Sequence, residues 1–365
     1  MRLPVNVPDE EQAVGRAWPV IAAAFAVREP VPRPRRRAPL LAAIALAVAV
    51  AAGVTSPGRA VLGQIRETVG VEHAAPALFS LPAPGRILAV SRSSAWVVQR
   101  DGSTRLLGPY SDAAWSPFGR FVAATTPLQL AALEPDGDKR WSLARPDVHL
   151  PAWGGTKTDT RIAYLTGSRL HVVAGDGTGD ADAGGLPAAA RVRPAWRPGA
   201  GGVLAYADTR GRVTVYALEG NVPFRTGRLA GIRSVAWSTR GSLLVVTRTG
   251  LATYGQQGQR LARRGLPGIR DAAYSPDGRS LAVVRAGEVL LLEARKLTTL
   301  GRVFAGRGPF AGVSWSPDGR WLLVSWPAAD QWVFIQVVGP RRVVAVSHIA
   351  SQFDGFPRVE GWCCP

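Results

Sequence analysis

Residue types that do chemistry are sparse in this chain, and their spacing limits what they can do. The only two cysteines are the adjacent pair Cys363-Cys364, which excludes a metal knuckle or a disulfide framework. Outside the cytoplasm, vicinal thiols can close an eight-membered disulfide ring or bridge to a second chain; otherwise they are two small side chains finishing a strand. His73, His149, His171 and His348 stand alone, without the spacing of zinc ligands. Neither a GxSxG nucleophile elbow nor a GxxxxGK[ST] phosphate loop occurs. Gly175, Gly177 and Gly179 mimic part of such a loop but read as a hairpin turn, because no helix follows them. Asp176, Asp180 and Asp182 lack the other ligands of a calcium loop. Asp277 and Asp318 lie in Ser-Pro-Asp-Gly runs and are expected to cap their own turns. The pattern points to binding, not catalysis, and no cofactor, metal or catalytic residue is assigned.

The elements that position these residues come from a repeat. Trp115, Trp153, Trp196, Trp237, Tyr274 and Trp315 stand 38, 43, 41, 37 and 41 residues apart. Each precedes a turn, of which Ser275-Pro-Asp-Gly-Arg279 and Ser316-Pro-Asp-Gly-Arg320 are the clearest, and then an apolar run such as Leu281-Ala-Val-Val. A period near 40 with about four short strands per unit predicts a β-propeller. Proline fixes φ in the turn, Asp bonds its own backbone and Gly takes positive φ. The apolar run reads as a buried inner strand. Second hairpins are expected at Asp101-Gly102, Asp136-Gly137 and 176–179. Residues 86–107 hold three strand-like pieces but no aromatic-turn strand. Val359-Glu-Gly-Trp362 resembles Val313-Ser-Trp315 and supplies it. The fold class is therefore all-β, a propeller over 86–365 with seven blades (six to eight are compatible), closed by a composite blade whose outer or first strand is the chain's end.

The Ser-Pro-Asp-Gly-Arg repeats resemble the WD-like repeats of TolB-type propellers, as does the DGTG turn at 176–179. True WD repeats would show Gly-His and Trp-Asp dipeptides, and this sequence has neither. The resemblance implies the fold; propellers host many activities.

Ahead of the propeller, residues 38–55 carry no charge; at 1.5 Å per residue they span roughly 27 Å, near the thickness of a bilayer core. Arg33, Arg35, Arg36 and Arg37 precede them, so the positive-inside rule places the N-terminus in the cytoplasm and the propeller outside. An uncleaved signal anchor is the expectation; a cleaved signal peptide and a buried core helix are the rivals. The leader, 1–37, shows one helical stripe, Val14, Trp18, Ile21 and Phe25, interrupted by Pro19, which either lies on the membrane surface or docks a cytoplasmic partner. Residues 56–85 read as a short juxtamembrane helix and an Ala/Pro-rich linker. The order of leader, anchor and propeller resembles actinobacterial-type envelope proteins.

The net charge is +18, and all but three of the 44 basic residues are arginine, as a GC-rich genome would produce. Residues 84–365 carry +15 of it, without a compact basic run interleaved with stacking aromatics, so a nucleic-acid site is not expected. The functional expectation is an anchored extracytoplasmic module that binds a protein or an envelope polymer. One alternative is an anti-sigma-like signalling protein that docks a regulator through its leader. A second is an enzyme with a site in the central channel.

Overall fold

In the computed structural model each sequence repeat is one four-stranded antiparallel sheet. The structure describes residues 80–92 and 94–364. Among them, no helix is long and apolar enough to cross a membrane. The expected span at 38–55, the leader stripe and most of 56–85 lie outside the described residues.

The unit at 269–305 shows how the local chemistry works. Strand Ile269–Tyr274 ends in the aromatic, and Gly278, at φ +67°, completes the turn. Asp277 Oδ1 accepts hydrogen bonds from Ser275 Oγ (2.6 Å) and from the Arg279 amide (3.0 Å), so the carboxylate caps its own turn as expected. Leu281 to Val284 follow, wholly buried, and the fourth strand, Thr299–Ala305, is largely exposed. Asp318 repeats this bonding with Ser316 and Arg320.

Seven such sheets form among the described residues. Blades 2 to 7 occupy 112–144, 148–182, 195–225, 232–265, 269–305 and 312–347. Blade 1 is composite: Arg358–Cys363 pairs with Arg86–Ser91, which continues to Ser94–Val98 and Thr104–Gly108. Trp362 lies opposite Ile87 and Cys363 opposite Arg86. The first strands touch one another around the ring, blade 7 to blade 1 and blade 1 to blade 2 included. The strand from the chain's end is therefore the innermost of its blade, which settles the choice between first and outer. The buried run such as Leu281–Val284 is an inner strand as expected, the second of its blade. It is wholly apolar because neighbouring blades cover both its faces, whereas the innermost strands border a polar channel.

Seven apolar clusters form, one in each gap between adjacent blades. The repeat aromatics fill these gaps. A ring of this kind buries about 200 Å², worth about 5 kcal/mol at ~25 cal/mol per Å² before ordering costs. Some of the indoles also reach across. Trp115, Trp196 and Trp315 donate from Nε1 to the carbonyls of Gly361 (3.4 Å), Ala152 (2.9 Å) and Ala273 (2.9 Å), each the residue before the preceding blade's aromatic. Gly154 makes room for one of them, since a Cβ there would lie 2.1 Å from Cγ of Trp196. At the closure, Phe353 packs on Trp96 and Trp332 at ring separations of 5.8 and 5.1 Å, and Leu81 and Ala83 join the same cluster.

Candidate functional site at the axial channel

The first strands line the axis, so the residue three places before each aromatic recurs around the channel. Around the ring these are Asp112, Leu150, Arg193, Ser234, Asp271, Gly312 and Val359. They lie toward the rim where the first strands begin; the aromatic-turn motifs occupy the opposite rim.

Four charges close into a ring on one side of this channel. Asp112 Oδ1 accepts from Arg193 Nη2 (2.9 Å) and from Arg358 Nη2 (2.5 Å). Glu360 Oε2 accepts from Arg193 Nη1 (2.6 Å), and Oε1 accepts from Arg358 Nε. Asp112 also takes the Leu150 amide at 3.1 Å through Oδ2. The quartet ties blades 1, 2 and 4 across the axis, and its carboxylates are largely buried, with side chains 12% and 6% exposed. Burial opposes the charge on Arg358, but Glu360 and Asp112 outweigh it and raise its pKa. Two carboxylates and two guanidiniums balance, so the ring is a strut of little net charge.

Asp271, in blade 6, has the same place in the repeat and different company. Its carboxylate accepts from the amides of Ala272 (2.8 Å) and Val313 (3.0 Å), with no arginine on it. Burial lifts its pKa above the usual carboxylate value; the two amide donors oppose this, and the charge of Glu360 adds to it. Beside it opens a pocket of about 530 Å³ lined by Arg233, Arg270, Phe356, Pro357 and Arg358. Arg233 and Arg270 are exposed and form no ion pair among the described residues. The mouth thus offers uncompensated guanidinium donors beside an apolar Phe-Pro edge. This is chemistry for holding a carboxylate or other acidic group, not for transferring one.

The residues singled out from sequence lie elsewhere. In the structure Cys363 and Cys364 are joined to each other. They end the closing strand against blade 2, and a Cβ on Gly119 would lie 2.7 Å from Cys364 Sγ. Arg86 donates to the Gly119 carbonyl (2.7 Å) and covers Trp115. The glycines at 175–179 form a hairpin, with Asp176 accepting from the Thr178 amide (3.0 Å). Asp180 binds Arg145 and Tyr164, and Asp182 accepts from the Gly184 amide (2.7 Å). His171 stacks on Tyr164, and His149 lies by the Asp147 carbonyl. Among the described residues no group of three or more His, Cys, Asp or Glu side chains is placed to hold a metal ion. His73 and the docking stripe Val14, Trp18, Ile21 and Phe25 lie outside the described residues. The channel charges were missed in the sequence reading. Their signal was the repeated Asp-Ala-Ala-aromatic run, Asp112 to Trp115 and Asp271 to Tyr274.

No family model matches the chain, and no curated protein matches it. Solved structures do. A chain of the mitotic checkpoint complex superposes with TM-score 0.59 at 14% identity, covering 86% of this chain and 98% of that one. Hsv2 of Kluyvelomyces marxianus gives 0.51 at 15% identity, covering 73% and 98%. KlHsv2 with its loop 6CD replaced by a Gly-Ser linker gives 0.53 at 14%, covering 72% and 93%. At this identity the likeness concerns the fold: the chain is a seven-bladed β-propeller with structural neighbours of the WD40 type.

Proposed function

We propose that the chain is a membrane-anchored propeller that binds a protein partner through the channel mouth on the rim where the first strands begin. The observation that carries this reading is the unpaired Arg233 and Arg270 beside Phe356 and Pro357, on a scaffold braced across its axis. Arginine next to an apolar edge is a common make-up of protein-binding surfaces. A partner presenting Asp or Glu would satisfy these donors. One of the structural neighbours comes from a multiprotein complex, the mitotic checkpoint complex. The reading is a binding module, not an enzyme.

The anchor rests on the uncharged run at 38–55 behind the arginine cluster, which would set the propeller outside the cytoplasm as a TolB-type envelope module. An oxidised Cys363-Cys364 pair belongs to that compartment. An envelope polymer is a further ligand class for the same mouth. The stripe Val14, Trp18, Ile21 and Phe25 favours a second reading, in which the leader docks a cytoplasmic regulator and the propeller is its sensor.

The test is crosslinking and recovery from envelope fractions with the wild type and with Arg233→Glu/Arg270→Glu. A partner should be recovered at least about tenfold less by the double variant. Equal recovery by both would remove the mouth from the binding site. A tag behind Pro365 accessible only from the cell interior would remove the extracytoplasmic placement.

A further inference from the structure

Of the seven repeat aromatics six are tryptophan, and the exception, Tyr274, forms part of a pocket on the opposite rim. This pocket, about 410 Å³, lies between blades 5 and 6. Arg240, Arg279 and Arg295 line it together with Gln256 and Gln259.

The carboxylates nearby are already engaged. Glu293 accepts from the amides of Arg295 (3.1 Å) and Lys296 (2.5 Å) in its own turn. Asp277 is held by Ser275 and the Arg279 amide, and its other oxygen lies 3.8 Å from Arg279 Nε. Arg240 and Arg295 form no ion pair among the described residues. Arg240 is nevertheless placed, because its Nε donates to the Asp277 carbonyl at 2.9 Å and Thr239 holds the Pro276 carbonyl at 3.0 Å. These bonds pin the turn of blade 5 to that of blade 6 and leave the terminal nitrogens of Arg240 unused.

Two glycines make the wall. A Cβ on Gly241 would lie 2.3 Å from Nε2 of Gln256, and one on Gly255 would lie 2.4 Å from Nε2 of Gln259. Both amides therefore lie in space that any other residue would fill. Tyr274 lines the pocket, and its hydroxyl, buried from solvent, has no hydrogen-bond partner among the described residues. Burial pushes its phenol up, so it stays protonated and remains a donor.

Guanidinium forks and amide donors, with the one lining carboxylate, Glu293, already held by two backbone amides, make a site for a compact oxyanion. We propose that this pocket binds a phosphate group, either inorganic phosphate or a small phosphate monoester, with Arg240, Arg279 and Arg295 neutralising its charge and the Gln256 and Gln259 amides donating to its oxygens. The proposal is independent of the partner surface on the other rim.

Calorimetric titration of the full-length chain tests it, with inorganic phosphate and phenyl phosphate as probes. Saturable one-site binding is expected. Tighter binding of phenyl phosphate assigns a monoester ligand, and tighter binding of inorganic phosphate assigns the free ion. Arg240→Gln and Arg295→Gln should each weaken binding about tenfold. Tyr274→Trp should fold, since tryptophan occupies this place in six blades, and should weaken binding by at least as much by filling part of the pocket. Arg228→Gln, on the opposite rim, should change nothing. The proposal falls if neither probe shows saturable binding. It falls equally if Arg228→Gln weakens binding as much as the pocket variants, because the general positive field would then be responsible.

Discussion

Asp112 and Asp271 sit at the same place in the same Asp-Ala-Ala-aromatic run, on opposite sides of one channel, and do different work. Asp112 belongs to a closed ring with Arg193, Glu360 and Arg358. Asp271 has backbone amides only. The repeat brings both carboxylates to the axis, but the neighbours come from elsewhere in the chain: of the other three members of the Asp112 ring, Arg358 and Glu360 lie on blade 1, whose first strand is the C-terminal one. The blade 2 side of the channel thus depends on closure, whereas the blade 6 side depends on the backbone of its own blade and of blade 7.

The most severe way to break this contrast is at the clasp. Trp362, 6% exposed, packs edge-on against Phe334. Trp362→Ala should cost about 4 kcal/mol in denaturant unfolding. Hydrogen exchange should rise first in Arg358–Cys363 and Arg86–Ser91, and uniform loosening of all blades would contradict the closure argument.

Next come the carboxylates themselves. Asp112→Ala leaves two guanidiniums sharing Glu360 and should cost about 3 kcal/mol. Asp271 shows its character through pH. Its folded pKa lies above its ordinary value of 3.8, so the native state holds the proton more tightly than the unfolded chain. Its contribution to stability is therefore greatest in acid and declines as pH rises from the ordinary carboxylate range through the raised folded value. Measured against Asp271→Asn across that range, the wild type should lose ground as pH increases. A gap that stays constant, or moves the other way, would show that the Asp271 carboxyl is not held in its acid form.

The smallest effect extends the same lesson to the tryptophans. Trp315 Nε1 donates to the Ala273 carbonyl, whereas Trp237 Nε1 is buried without a partner. Trp315→Phe should cost about 1 kcal/mol more than Trp237→Phe, the net worth of that hydrogen bond. Equal losses in thermal unfolding would mean that the indoles act as space-fillers alone.

Much of the scaffold was legible because its signals are local. Aromatic, turn and apolar run recur within some twelve residues, so strands, hairpins and the capping roles of Asp277 and Asp318 follow from nearest neighbours. Val359-Glu-Gly-Trp362 was legible as the missing strand because the count of aromatics left one blade incomplete. Gly154 follows Trp153 where most of the other repeats carry Ser, and the reason is the Trp196 ring of the next blade lying on it. The Asp-Ala-Ala-aromatic run marked Asp112 and Asp271 as equivalent, but the pairing of the channel quartet was not legible. Asp112, Arg193 and Glu360 are far apart in the chain, and no repeat position distinguishes them from charges that face solvent.

The amino-acid sequence by itself determined the repeat, the turn chemistry and the chain's end as the missing strand, because each depends on residues a few places apart or on a period that can be counted; the count of seven and the innermost place of the closing strand came with the ring. Only the tertiary structure decided which equivalent side chains meet. Wrapping seven sheets into a ring brings their first strands together at the axis, where an acid finds either an arginine or only backbone amides. That outcome depends on what the other blades place across the channel, which the spacing within one repeat does not encode.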